Sequence, residues 1–216
     1  MKTLKGMLLA MLIVFVLAAG VLGAYSGRNS KDICNDTNQE KLSLEEYLEN
    51  TNEKWFLTGK REYTIQAMMV SGELSFHNDL ELADYTVTDD GETVVLKGTR
   101  NEMWTSPLSK VTEKYVKPDG SKLSAKDFAD KDVFIDIVTI PVHNSNFAIH
   151  VPNHVSVTVE TAWGNVLHTN LPNAPHGEGD YLICNVGEDG EPSLSDVWIV
   201  NGLVFLDCYD TSHMKE

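Results

Sequence analysis

Residues 179–209 read GDYLICNVGEDGEPSLSDVWIVNGLVFLDCY. The YLICNV and VWIV runs are rich in β-branched and aromatic side chains, the composition of strands. Asp189-Gly190 separates them, and Asn201-Gly202 separates VWIV from LVFL. Both pairs tolerate positive φ, so the stretch predicts two strands and then a tight hairpin at Asn201-Gly202 inside a strand pair spanning Val197–Phe205. The same grammar recurs upstream. Tyr63–Val70, Glu92–Lys97, Val133–Thr139, Val155–Thr161 and Tyr181–Val186 read as strands, with Asp90-Gly91 and Asp119-Gly120 as turns. Ser43-Leu-Glu-Glu46 has the capping-box pattern and predicts a short helix over 44–51; Ser124 caps another over 125–130. The expected fold class is mainly β (α+β): an antiparallel β-rich domain with one or two short helices.

An internal duplication is also expected. Ala83-Asp84-Tyr85 leads to Trp104 and Tyr115, and Gly179-Asp180-Tyr181 leads to Trp198 and Tyr209. Trp to Tyr is 11 positions in both stretches, and Asp to Trp is 20 in one and 18 in the other. The two units run over 63–115 and 157–209. In each, large aromatics supply buried area to a small sheet.

The units resemble a small module of phage, prophage and bacterial proteins, the PGDYG type. The resemblance rests on LKGTRNEMW, Leu96–Trp104, through Val111-Thr-Glu-Lys-Tyr115, and on Gly179-Asp-Tyr181 through Phe205-Leu-Asp-Cys-Tyr209. The first stretch departs from the pattern, with Ala83 for the glycine and Val111 for the phenylalanine; the second keeps both but has a longer middle. The resemblance implies two diverged copies of a compact β unit of unknown function and carries no activity.

The remaining chain divides accordingly. Residues 1–25 are a signal peptide or membrane anchor. Lys2 and Lys5 precede Gly6–Tyr25, in which no side chain is charged. That is the pattern of an export leader, and it is also long enough to span a bilayer. Residues 26–42 read as a polar tether, 43–62 as the helix and lead-in, 63–115 as the first β module, 116–156 as a connection and 157–216 as the second module. The expected location is secreted or anchored on the extracytoplasmic face, with membrane contact only through 6–25 if uncleaved. The chain has 17 Lys+Arg against 32 Asp+Glu, a net charge of −15. Such a field repels phosphate backbones, so no nucleic-acid partner is expected; a protein or cell-surface component fits better. Outside the cytosol Cys184 and Cys208 are the first candidate disulfide, near the ends of two expected strands, with Cys34 left over.

Chemistry has few carriers. Gly-x-Ser-x-Gly and Walker-type loops are absent from the sequence. His176, Glu178 and Asp180, in a glycine-rich loop, form the first catalytic or cation-binding candidate, against the plainer reading of a solvated connection. Trp163 and His168 are ligand-binding candidates, Trp163 because an aromatic beside a glycine can stack on a sugar or peptide. His143, His150 and His154 are the metal candidates, although Pro152 breaks any helical spacing between the last two. The carboxylate-rich stretches Asp79/Glu81/Asp84 and Asp127/Asp130/Asp132 match no calcium loop and read as solvated surface. These readings lead to an exported, non-catalytic binding or interaction protein without a cofactor. The alternatives are an extracytoplasmic enzyme, such as a hydrolase of cell-wall or carbohydrate material, and a divalent-cation-binding structural protein.

Overall fold

The computed structural model describes residues 39–161 and 164–214. The leader, Cys34 and Trp163 lie outside the described residues. The strands are β1 Glu40–Ser43, β2 Phe56–Thr58, β3 Thr64–Met68, β4 Leu74–Asn78, β5 Ala83–Val87, β6 Thr93–Lys97, β7 Met103–Pro107, β8 Tyr115–Val116, β9 Ile135–Thr139, β10 Asn146–Pro152, β11 Val155–Glu160, β12 Val166–His168, β13 Gly179–Val186 and β14 Pro192–Val200. The helices are α1 Leu44–Asn50, α2 Leu108–Lys114 and α3 Gly202–Cys208, with a 3-10 turn at Ala125–Phe128. The protein is mainly β, built from several antiparallel sheets.

Two sheets carry the fold. One has the order β7-β6-β3-β9-β8 and the other β14-β13-β10-β2, with every pair antiparallel. In the first, alternation sends Ile65, Ala67, Val94, Leu96 and Ile137 toward α2 and Phe128. The opposite face of the same strands, through Met68 and Val95, is covered by the β4–β5 ribbon. In the second sheet, Tyr181, Ile183 and Ala148 pack with Phe205 of α3. Leu182, Cys184, Ile149 and Val151 pack on the other side with Tyr47 of α1 and with β11. Strand β13 is thus buried on both faces, which accounts for its unbroken YLIC run.

The capping box forms at α1 as the sequence predicts: Glu46 N–H donates to Ser43 Oγ at 3.2 Å, and Ser43 N–H to Glu46 Oε2 at 2.8 Å. A second box closes on Ser124 and Asp127. Gly91, Gly120 and Gly190 have positive φ, as their turns require.

Four expectations are corrected. The first is the Asn201-Gly202 hairpin. Asn201 instead caps α3, accepting from Leu203 N–H at 3.1 Å, and LVFL is helical. Gly202 serves close approach and not a turn: a Cβ there would stand 1.9 Å from the Gly179 carbonyl oxygen. The second is the tether, which ends before Leu42, because Glu40–Ser43 pairs in parallel with β11. The third is the cystine: Cys184 and Cys208 are free and buried, and they belong to cores on opposite faces of one sheet. Fourth, the 116–156 connection supplies β9 and β10, which are internal strands of the two sheets. Pro152 is accommodated because it sits at the very end of β10.

The constant Trp–Tyr spacing has a structural cause. Trp104 lies on β7 opposite Leu96, and Trp198 lies on β14 opposite Ile183. Each strand runs into a seven-residue helix whose C-cap is Tyr115 or Tyr209. Val111 and Phe205, each 0% exposed, fill matching places on the two helices. The Asp-Tyr pairs do not correspond in this way. Asp84-Tyr85 lies on β5, in the separate ribbon, whereas Asp180-Tyr181 lies on β13.

The two sheets are joined through α3. Arg100 Nε and Nη2 donate to Asp207 at 2.6 and 2.9 Å, and Arg61 Nη2 donates to the Leu206 carbonyl at 2.6 Å. Tyr63 packs against both cores.

Two outcomes are expected. Phe205 is fully buried and stacked on Tyr181 and Tyr209, so Phe205→Ala lowers unfolding stability by about 3–5 kcal/mol, read by denaturant titration. Burial pushes the Cys184 and Cys208 thiols up to about 11. In a Cys34→Ser variant neither thiol should react with iodoacetamide at pH 8 until denaturant is added; labelling of the native chain would contradict this burial.

Candidate functional site

The loop leading into β13 holds the first set of candidate residues. Asn170, at φ 52°, donates through Nδ2 to the Val151, Pro152 and Val155 carbonyls at 3.1, 2.9 and 2.7 Å. Its Oδ1 accepts the Asp180 N–H at 2.8 Å, and its own N–H donates to Asp180 Oδ2 at 2.6 Å. The other Asp180 oxygen accepts Gly202 N–H, at the first turn of α3, at 3.0 Å. The Asp180 carboxylate therefore ties the Asn170 loop to the start of α3, and the Asn170 amide ties that loop to the end of β10.

Its burial raises the Asp180 pKa above the usual carboxylate range, although the two backbone N–H groups, His176 and His150 all act in the opposite direction. No Lys or Arg occurs between Lys131 and Lys215, so histidines are the only side-chain cations that this half of the chain can offer. His176 is 4% exposed and its Nδ1 has no hydrogen-bond partner. The structure brings His176 and Asp180 together. Glu178 is exposed; its carbonyl, not its carboxylate, makes a contact here, accepting from Asn153 N–H. Both Asp180 oxygens are taken by backbone N–H groups, and the arrangement suits holding backbone more than moving protons.

The remaining candidates are dispersed. His143 and His154 lie beyond opposite ends of β10, a seven-residue strand of roughly 24 Å. His150 stands 3.9 Å from Glu53 and packs beside Tyr181. Among the described residues no three His, Cys, Asp or Glu side chains are placed to share a metal ion. His168 is exposed, with Nδ1 3.1 Å from Thr158 Oγ1. In the acidic stretches Asp127 bonds Ser124 as a local cap, Asp132 accepts from Ser71, 61 positions away in the chain, and Glu81 accepts the Tyr85 hydroxyl.

Sequence reasoning missed two clefts because their walls come from segments distant in the chain. The larger, of about 530 Å³, lies beside the first turn of α2. Glu92, Leu108, Ser109, Thr112, Leu123 and Ser124 are among its lining residues. Leu123 and Leu108 belong to the first core, so the apolar part of the cleft is that core showing through. The smaller, of about 190 Å³, lies between the β4–β5 turn, the β6–β7 turn and Pro175. There His77 Nδ1 is 2.8 Å from Asp84 Oδ1 across the ribbon, and Nε2 is 3.9 Å from Asp79. Burial, with the charge of Asp207 adding to it, raises the Glu102 pKa on the same wall, against the backbone N–H groups and Arg100. The signal available in the sequence was register: His77 and Asp84 are cross-strand partners about one short turn.

Comparison with protein families, with curated proteins and with solved structures finds no match. Among the described residues no helix is long and apolar enough to cross a membrane.

Asp180→Ala leaves the Asn170 and Gly202 N–H groups without their acceptor in a buried place, at an expected cost of about 2–3 kcal/mol in denaturant titrations. The pH dependence has a definite sign. A carboxyl whose folded pKa is raised contributes stability below its unfolded pKa and loses it as pH rises through the folded value. Wild type should therefore gain stability relative to Asp180→Asn as pH falls from 7 toward 4; a constant difference would rule out the raised pKa.

Proposed function

We propose that this chain is an exported, non-catalytic binding protein whose ligand sits in the cleft beside α2. The supporting observation is the lining of that cleft: apolar Leu108 and Leu123, the hydroxyls of Ser109, Thr112 and Ser124, and Glu92 as the charged side chain. Such a surface offers contact area and hydrogen bonds, the mixture by which small-ligand and peptide sites select their partners. Export rests on the uncharged Gly6–Tyr25 run behind Lys2 and Lys5. The net charge of −15 favours a partner that is not a nucleic acid. The common order of strand, hairpin, strand, Trp strand, helix and Tyr in β3 to Tyr115 and β10 to Tyr209 supports two copies of one PGDYG-like unit.

The enzyme reading has one specific observation in its favour, the His77–Asp84 pair at the edge of the smaller cleft. A carboxylate at 2.8 Å orients an imidazole, and Nε2, 3.9 Å from Asp79, would serve as general base toward a bound water. His77→Ala then abolishes any hydrolysis found, and leaves binding in the α2 cleft unchanged.

Intact cells expressing the chain should lose residues 39–214 to added protease, while a cytosolic marker stays whole; protection until lysis would refute export. Ser109→Trp, on the exposed side of the α2 turn, fills the cleft and should abolish chemical-shift changes produced there by an apolar probe such as indole, with little change in Tm.

A further inference from the structure

The chain crosses from the first sheet to the second through Ile140-Pro-Val-His-Asn144, and all five residues are exposed. Ile140 and Val142 are 41% and 49% exposed, an apolar pair in water with a proline between them. The crossing is firmly held. Ile140 N–H donates to the Lys114 carbonyl at 2.9 Å, and Val142 N–H to the Lys60 carbonyl at 2.8 Å. A Cβ on Gly59 would stand 1.9 Å from the Val142 carbonyl oxygen, so the glycine lets two backbones touch.

The two residues that hold the crossing also bring positive charge to it. Among the described residues neither Lys60 nor Lys114 forms an ion pair with a carboxylate. Lys60 Nζ lies 6.0 Å from the centre of the Tyr209 ring. Lys110, one helical turn before Lys114, is paired with Glu113 at 3.4 Å. Burial and the charges of Lys60 and Lys110 lower the Lys114 pKa, against Glu113. The nearby Asp210 carboxylate is turned onto the Ser212 N–H at 2.9 Å. Like charges gathered without a counter-ion, on a chain of net charge −15, leave a place for an external anion.

The apolar tips and the reach of the leader say which anion. Apolar side chains flanked by lysines suit a lipid interface, where the tips enter the acyl boundary and lysine stems lift their charges to the headgroups. Gln39 Nε2 donates to the Asn153 and Asn170 carbonyls at 3.0 and 2.8 Å, which fixes where the chain enters the domain, at the end of β10. The crossing precedes the start of that strand, roughly 24 Å away. Residues 26–38, thirteen in number, extend to at most about 45 Å from the apolar run, so the crossing lies within reach of a bilayer that holds the leader. We propose that the face formed by Ile140, Pro141 and Val142 between Lys60 and Lys114 docks on an anionic bilayer. The proposal rests on the leader as a membrane anchor and is independent of the α2 cleft. The acidic remainder of the surface is repelled by the same bilayer, so the domain meets it in one orientation.

The test uses the full chain with Cys34→Ser and His143→Cys, the new thiol carrying an environment-sensitive nitrobenzoxadiazole dye. It is reconstituted with vesicles of phosphatidylcholine alone or mixed with phosphatidylglycerol. Flotation in high salt reads leader insertion, and dye emission at low salt reads the face. The dye should brighten and shift to the blue on the mixed vesicles only, and revert in high salt. The same dye at Glu178→Cys, at the other end of β10, should not respond. Lys60→Gln and Lys114→Gln should each lower the docking equilibrium about fivefold. Val142→Asp should abolish docking, with Tm unchanged. A silent dye on a chain that floats would overturn the docking face and leave the leader reading standing. A silent dye without flotation would overturn both, and a response without flotation would keep the face and overturn the leader. Equal responses on neutral vesicles, or a response untouched by the lysine variants, would also overturn the proposal. Hexaglutamate brightening the dye where the mixed bilayer does not would assign the face to an acidic protein and overturn the lipid.

Discussion

Strand β13 has no solvent face along Tyr181–Cys184, and the arrangement of everything around it follows from that constraint. Successive side chains of a strand point to opposite sides, so Tyr181 and Ile183 must be covered by one layer and Leu182 and Cys184 by another. Helix α3 supplies the first cover and α1 with β11 the second. Burying four consecutive residues this way removes enough apolar area from water to offset the cost of ordering short helices that would not be stable alone. The same alternation separates Cys184 from Cys208, so the geometry that builds the core also keeps the two thiols apart.

A strand buried on both faces needs its starting point held, and Asp180 holds it. Its two oxygens reach the Asn170 loop on one side and α3 on the other. A carboxylate placed so deeply costs free energy unless it is bonded, and here backbone N–H groups provide the bonds. Two glycines make the approach possible: at Gly179 a Cβ would stand 2.0 Å from the Val151 carbonyl oxygen, and at Gly202 it would meet Gly179 itself. The polar, glycine-rich character of this loop, which in sequence resembles a site, reflects close packing of three backbone segments.

The two strand–helix corners, β7 into α2 and β14 into α3, differ in where the upstream chain lies. At α3 the chain fills its own groove with residues 175–177, whereas at α2 the upstream segment turns away at Asp90. The first core therefore borders the cleft at Leu108 and Leu123, between hydroxyl groups. The Arg100–Asp207 pair and Tyr63 brace the two sheets against each other, so the corners are presented on a fixed frame.

Local chemistry was enough to read much of this protein. Ser43 and Glu46 announced α1, the Asp-Gly pairs announced their turns, and β-branched runs announced β3, β6, β9, β11 and β13, because caps, positive φ and pleated packing depend on near neighbours. The Trp–Tyr spacing was legible as a regularity, but its cause, a helix between them, was not. Asn201-Gly202 satisfies a hairpin and a helix start equally well, and the choice rested on contacts with Pro175, His176 and Asp180, more than 20 residues upstream. Strand β10 was hidden by its histidine, asparagine and proline: Asn146 pairs with strands on both sides, His150 with β13 alone, and Pro152 is tolerated at the strand's last position. The clefts were beyond reach for the same reason. A run of residues states what its own backbone and side chains prefer, but a cavity is a gap between segments, and only the packing of distant segments decides where a gap remains.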